Sequence, residues 1–315
     1  MNLKYAQYIR TILREGSLTA ASRVLYISQP ALSQAIRQVE LEMGMPVFER
    51  YKPQPLLTSA GEMYLEAARE TQLIEMNLRN RLNEQKKEVH ATLRFGISAQ
   101  RGAQLLPHVM PRYIRKYPYV RIELVEFGSH TLEQMVKDGE CDIALATTEP
   151  HFSQLEYVLL ENEQLVLMAS EETELAQRFA DGTPIALEQA ADERFVVLRP
   201  GHSVRSVQDH IFTLSRFNPK VLLESNNFAT ALNVAAYTPA VMLCPYVYVA
   251  SMPAVRQRVK CYPIDSRGYE RHFYLFYRKE MYFAQYMRDL RAIIEDTLRM
   301  NAMSCPMPAE GGDVP

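Results

Sequence analysis

No two of the four cysteines stand close enough to form a CxxC pair; Cys141, Cys244, Cys261 and Cys305 are scattered. That spacing argues against a zinc site or a disulfide framework and for buried or incidental thiols. Redox sensing would need an exposed thiol of low pKa. No uninterrupted apolar run reaches the roughly 18 residues of a membrane span. The opening MNLKYAQYIRTILREGS carries charges inside its apolar pattern and does not read as a signal peptide. A cytoplasmic protein without membrane association is the expectation. Missing too are the GxSxG elbow, the P-loop GK[ST], HExxH and GxGxxG. His202 and Ser203 are adjacent, but neighbours on one loop do not make a triad. The chain is therefore read as a non-enzyme with no metal and no cofactor.

An excess of charge of one sign is lacking as well. The 315 residues carry 35 Lys+Arg against 37 Asp+Glu, a formal net charge of −2. The mean hides an asymmetry. Residues 1–60 hold seven basic and four acidic side chains, and the remainder carries the acidic excess. A basic front permits nucleic-acid binding without requiring it. With 47% hydrophobic and 23% charged residues, the chain has enough apolar content for real cores, and its length suggests two domains or more.

Leu3, Tyr5, Ala6, Ile9, Ile12 and Leu13 give a helical repeat ending at Gly16, and Ser17 then caps a short helix, LTAASRVLY. Ser28 caps a third helix with Pro30 in its first turn, where a missing N–H costs little. Leu32, Ile36, Val39 and Met43 form its apolar stripe. Gln29, Ser33, Gln34, Arg37 and Gln38 lie away from that stripe, with no carboxylate among them. Two short helices joined by a tight turn describe a helix-turn-helix. Amide and guanidinium groups suit base edges, since Gln pairs bidentately with adenine and Arg with guanine. The same pattern also fits an ordinary polar helix surface.

A longer match bears on that choice. The stretch EGSLTAASRVLYISQPALSQAIRQVELEMGMPVFERYKPQPLLTSAGE resembles the N-terminal domain of LysR-type transcriptional regulators. GSLTAAS, SQPALS, IRQVELEMG, FER and LTSAGE occur in order and at the family's spacing. The resemblance implies a winged helix-turn-helix over 1–58 with the helix from Ser28 in the major groove. Gln29, Pro30, Ser33, Gln34 and Arg37 are then the candidate DNA contacts. The wing would be ERYKPQPLLT. Its Pro53 and Pro55 depart from the family's usual Gly-rich tip, and Arg50 and Lys52 are its candidate contacts.

From Ser59 to about Lys87 no proline interrupts the chain, and Met63, Ala67, Ile74, Leu78 and Leu82 mark an apolar stripe. A lone helix cannot bury such a stripe. It needs a second chain or its own downstream domain. The resemblance implies the former: a linker helix over 59–90 that pairs two subunits, with two dimers making a tetramer on a two-fold symmetric promoter site in double-stranded DNA. RNA polymerase is a further partner if the protein activates.

Beyond residue 90, strands and helices alternate: TLRFGIS, VRIELVEF, CDIALAT, LVLMAS, RFVVLR, VLLES, AVMLC and RHFYLFYRK read as strands. Alternation of this kind means βαβ units around a largely parallel sheet, and an α/β fold overall. The stretch resembles the same family's effector-binding domain, itself similar to periplasmic solute-binding proteins. That implies two subdomains within 91–300, the first from 91–161 and 270–300 and the second from 162–265, joined by strands crossing near Glu161–Glu163 and Ile264–Arg271. Residues 301–315, small, polar and rich in Pro and Gly, read as a disordered tail.

Open α/β sheets bind ligands beyond the carboxyl ends of their strands, near helix starts. The candidate effector residues are accordingly Ser98, Gln100 and Arg101 after the first strand, Gly128 and Ser129 before the second helix, and Thr147 after CDIALA. Arg199, His202 and Ser203 follow RFVVL, and Asn226 with Asn227 is expected to cap the helix after VLLES. Hydroxyls, amides and free N–H groups suit a small organic anion, and Arg199 or Arg101 could pair a carboxylate. The competing explanation for each residue is plain helix capping. A regulator whose second half has lost ligand control also fits the sequence.

Overall fold

The computed structural model describes residues 2–49, 54–86, 88–264 and 269–304, the last three by backbone alone. Two compact units result. The first runs to Leu82 and includes Glu280–Tyr282; the second takes Asn83–Lys279 and the chain from Phe283.

The first unit holds α1 (Leu3–Glu15), α2 (Leu18–Val24), α3 (Gln29–Met43) and most of α4 (Ser59–Glu84). Each short helix starts on a polar side chain. Asn2 accepts from the Lys4 N–H, Ser17 from Ala20 and Ser28 from Ala31. These bonds satisfy donors that a helix start leaves orphaned. Ile9, Ile12, Ala21, Leu32, Val39 and Val47 are buried together with Tyr64, Leu65 and Ala68 of α4. Between α3 and α4, Phe48 pairs antiparallel with Leu57, and the Glu49 N–H donates to the Leu56 carbonyl at 2.8 Å. The wing thus has a paired base. Its tip, with the candidates Arg50 and Lys52, lies outside the described residues. Gly61 explains the end of the LTSAGE motif: a Cβ there would stand 2.3 Å from the Val47 carbonyl oxygen, so only glycine lets α4 pass the wing base this closely.

Beyond the head, α4 continues as a 26-residue helix, about 39 Å long at 1.5 Å per residue. It ends at Glu84 rather than near Lys87, which is not among the described residues. Met63, Ile74, Leu78 and Leu82 of the apolar stripe are 50–70% exposed.

The second unit contains two five-stranded sheets. The first has the order β2-β1-β3-β10-β4, from β1 (Ala91–Ile97), β2 (Val120–Glu126), β3 (Ile143–Thr147), β4 (Leu155–Asn162) and β10 (His272–Arg278). The second has the order β7-β6-β8-β5-β9, from β5 (Leu165–Ser170), β6 (Arg194–Leu198), β7 (Lys220–Ser225), β8 (Val241–Pro245) and β9 (Val259–Pro263). The helices between them are α5 (Ala99–Lys116), α6 (Ser129–Lys137), α7 (Glu174–Arg178), α8 (Ser203–Leu214), α9 (Phe228–Ala236), α10 (Tyr246–Ala250) and α11 (Pro253–Arg256). α12 (Gln285–Ser304) is the last of the described helices.

The sheets are mixed rather than largely parallel. β1 runs parallel to β2 and β3, and β6 to β7 and β8. β10 is antiparallel to β3 and β4, and β5 to β8 and β9. The chain crosses between subdomains twice, and the strands that follow the crossings, β5 and β10, enter against their neighbours. β9 has no counterpart among the expected strands, and β4 is matched only at its end, by the crossing expected near Glu161–Glu163. The second sheet is covered on both faces. Val166, Met168, Val196 and Leu198 meet Ala231, Leu232 and Ala235 of α9, whereas Leu167, Phe195, Val197 and Leu243 meet Val207, Ile211 and Phe212 of α8. Strands buried on both faces read as continuous apolar runs, hence LVLMAS and RFVVL. At the chain end, α12 carries the helix through Ser304, so residues 301–304 are not part of a disordered tail; 305–315 lie outside the described residues. Among the described residues no helix is long and apolar enough to cross a membrane.

Candidate functional site

On the head, α3 separates its faces cleanly. Leu32, Ala35, Ile36 and Val39 are buried. Gln29, Pro30, Gln34, Arg37 and Gln38 are exposed, with Ser33 half-buried among them. Gln38 is partly committed, since its amide donates to Glu42 at 3.1 Å. The structure therefore brings the five expected α3 candidates to the exposed side of the helix, and among those five Arg37 alone is charged.

In the second unit the parallel strands align their carboxyl ends. Ile97 of β1 is in register with Glu126 of β2 and Leu145 of β3, which gathers Ser98, Gly128 and Thr147 along one sheet edge. The Ser129 hydroxyl donates to the Thr147 carbonyl at 2.9 Å. In the other sheet Leu198 is in register with Ser225, and the Arg199 N–H donates to the Ser225 carbonyl at 2.8 Å. Gln100 and His202 bring the two edges face to face, with 3.4 Å between the Gln100 amide and His202 Nε2.

Capping explains only some of these residues. Ser98 and Gly128 stand at the N-caps of α5 and α6 without a side-chain cap bond. His202, not Ser203, caps α8, its Nδ1 accepting from the Val204 N–H at 3.1 Å. Asn227 caps α9, with Thr230 as donor at 2.9 Å. Asn226 does not share that role and stands exposed. Burial, followed by the nearby Arg271 charge, holds the His202 pKa below its ordinary value, so the ring is neutral near pH 7. With Nδ1 as acceptor, the neutral ring carries its proton on Nε2 and presents a donor to the crevice. Behind it, His202 stacks on Phe228 at 6.1 Å, and Phe228 meets Tyr248 at 4.7 Å.

Arg101 departs from the expectation that it is free to pair a ligand carboxylate. It is 1% exposed, paired with Glu161 and, at 2.9 Å, with Gln104, and its guanidinium lies 4.2 Å from the Phe273 ring centre. Glu163, also buried, accepts from Arg271 Nε at 3.0 Å, and its other oxygen is 3.9 Å from Arg101. Two guanidinium and two carboxylate groups thus knot the crossing strands together, and the same charges reach Tyr248. The sequence reading missed Glu163 and Arg271 in this role. Their only signal was position at the expected crossings, because a buried ion pair between residues so far apart has no local pattern. Arg199, by contrast, is exposed.

Cys141, Cys244 and Cys261 are buried, and for the first two the surroundings suppress the thiolate. Burial pushes the Cys141 thiol up to about 12, and burial with Cys261 alongside raises that of Cys244. Cys305 is outside the described residues.

Comparison with known proteins covers both units. Residues 3–62 match the model of the bacterial regulatory helix-turn-helix protein, lysR family, and residues 86–299 match the LysR substrate binding domain. The uncharacterised HTH-type regulator YcgK of Bacillus subtilis is 28% identical over 262 residues, 78% of this chain and 80% of that one. The hydrogen peroxide-inducible genes activator of Haemophilus influenzae is 27% identical over 280 residues, 88% and 91% of the two chains. Among solved structures, a full-length single-residue variant of OxyR from Pseudomonas aeruginosa superposes with a TM-score of 0.66 at 20% identity, over 100% of this chain and 99% of that one. Full-length CbnR complexed with its target DNA gives 0.51 at 18% identity, over 96% and 100%. With a DNA-reading head and a two-sheet effector domain both matched in order, the chain belongs to the LysR family of DNA-binding transcriptional regulators controlled by small-molecule effectors.

Proposed function

We propose that the protein works as a dimer, paired through the exposed stripe of α4 and doubled to a tetramer, and that its effector is a small organic anion. The outer face of α3, with Gln29, Pro30, Ser33, Gln34 and Arg37, reads base edges in two half-sites related by a two-fold axis. Arg50 and Lys52 of the wing hold the DNA backbone. The anion occupies the crevice between the sheets, where its arrival changes the relation of the subdomains and so the spacing of the heads. RNA polymerase is a partner if the outcome is activation.

One observation supports the anion above others: the crevice gathers donors without spending them on capping. Ser98 and Gly128 leave the first N–H groups of α5 and α6 unsatisfied by their own side chains, and such helix starts favour negative charge by about 0.3–1 kcal/mol each. Neutral His202 adds an Nε2–H donor, Thr147 a hydroxyl, and Arg271 a positive field. Gln100, Ser129, Arg199, Ser203 and Asn226 complete the proposed lining. Arg101 acts from behind, by fixing the start of α5 to the crossing strands. Titration calorimetry on the full-length protein with matched acid, ester and amine analogues tests this. The acid is expected to bind, with affinity lost in the Ser98→Ala/Thr147→Ala double variant. Binding of the ester or amine with the acid inert would overturn the choice of an anion.

A further inference from the structure

The turn between α2 and α3 carries the most exposed large apolar side chain among the described residues. Tyr26 is 95% accessible, and its side chain makes no hydrogen bond, ion pair or ring contact among the described residues. Its backbone is at φ 53°, in the left-handed region that Gly or Asn occupies readily and a bulky side chain does not. Packing usually accounts for an aromatic held in an unfavourable conformation. Here nothing among the described residues does.

The turn is firmly held. The Tyr26 N–H donates to the Arg23 carbonyl at 3.3 Å and the Ile27 N–H to that of Ser22 at 3.1 Å. Ile27 packs against the head core, and Ser28 caps α3. Two residues before that cap, Tyr26 lies within about 7 Å of it along the chain, beside exposed Gln29 and Pro30. A recognition helix enters the major groove by its N-terminal residues. A side chain just outside that end meets the sugar–phosphate ridge rather than base edges. From Gly16 to Val39 the chain has no carboxylate to repel phosphate, and a phenol is a neutral O–H donor suited to a phosphate oxygen. We propose that the Tyr26 hydroxyl donates to a backbone phosphate at the mouth of the groove and sets the register of α3. This rests on the reading that α3 enters DNA.

The test uses purified full-length protein and two duplexes: one of random sequence, and one that the wild type selects from a randomised pool. Tyr26→Phe and Tyr26→Asn are each expected to weaken both duplexes by the same factor, about tenfold. The salt dependence should keep its slope, because a neutral donor displaces no counterion. Tyr26→Asn should also raise the Tm, as Asn tolerates the left-handed turn, whereas Tyr26→Phe should not. Phe binding both duplexes as tightly as the wild type overturns the proposal, and so does a fall in Tm on Tyr26→Asn, which would make the ring a stability element. Arg37→Ala separates the two readings. It should weaken the selected duplex more than the random one. If it does so while Tyr26→Phe is silent, only the Tyr26 contact fails; if it leaves both duplexes untouched, the α3 reading itself fails.

Discussion

The head and the effector unit place polar groups by opposite rules. On the head, the candidate α3 contacts come from one short helical run, from Gln29 to Arg37, and point outward from a core that buries no full charge on α3. In the effector unit, Ser98, Thr147, His202 and Arg271 belong to four distant segments that only the sheet order brings together, and full charges are buried at the crossing strands. A reading face is a property of a helix. A crevice is a property of a topology, and its charged hinge is stabilised only by pairing.

The contrast is broken most severely at α4. Ile74→Asp with Leu78→Asp would bury unpaired charge at the proposed seam. Sedimentation should then find monomers at micromolar concentration, and cooperative binding to paired half-sites should vanish while calorimetric effector binding survives. A variant that stayed dimeric would move the interface elsewhere.

A second change sharpens the difference in charge placement. Glu163→Ala leaves Arg271 and Arg101 facing each other in the interior, a loss of about 3–5 kcal/mol. Arg37→Ala on the exposed face should cost the fold less than about 0.5 kcal/mol. Urea denaturation measures both. Equal stabilities for the two variants would remove the distinction between a charge used for reading and a charge used for holding.

The smallest effect is a matter of pH. The folded-state pKa of His202 lies below its ordinary 6.5, so as pH falls the unfolded chain takes up the proton first. The stability involved is fully present above about pH 6.5 and is lost progressively as pH drops toward the lower folded value. Protonation also ends the acceptor role of Nδ1 at the start of α8. His202→Asn, which keeps an acceptor and does not titrate, should show a flatter decline of Tm between pH 7 and 5. Parallel decline in both proteins would place the acid sensitivity in other groups.

The same contrast explains what was legible beforehand. Caps at Ser17 and Ser28, the stripe Leu32–Ile36–Val39 and the long α4 are local periodicities, and they stand in the structure where the sequence shows them. The runs LVLMAS and RFVVL were readable as strands because burial on both faces leaves no polar alternation. β4 was not, since LEYVLLEN at a sheet edge mixes exposed and buried positions. The direction of β5 and β10 depends on how often the chain crosses between subdomains, which no window of sequence carries. Arg101 illustrates the limit at the site. Its place at a strand end suggested a ligand contact, but Glu161 and Glu163, some sixty residues away, claim it.

The sheet order also constrains synthesis. β4 has β10 as its strand partner and forms the edge of its sheet, yet β10 begins only at His272, after every strand of the second sheet has been made. The nascent chain therefore presents β4 unpaired while β5 to β9 leave the ribosome. The second sheet can close first, and the first is completed by the returning strand. A chain released before residue 272 would hold every strand of the second sheet and one open edge on the first, the kind of surface that chaperones exist to cover.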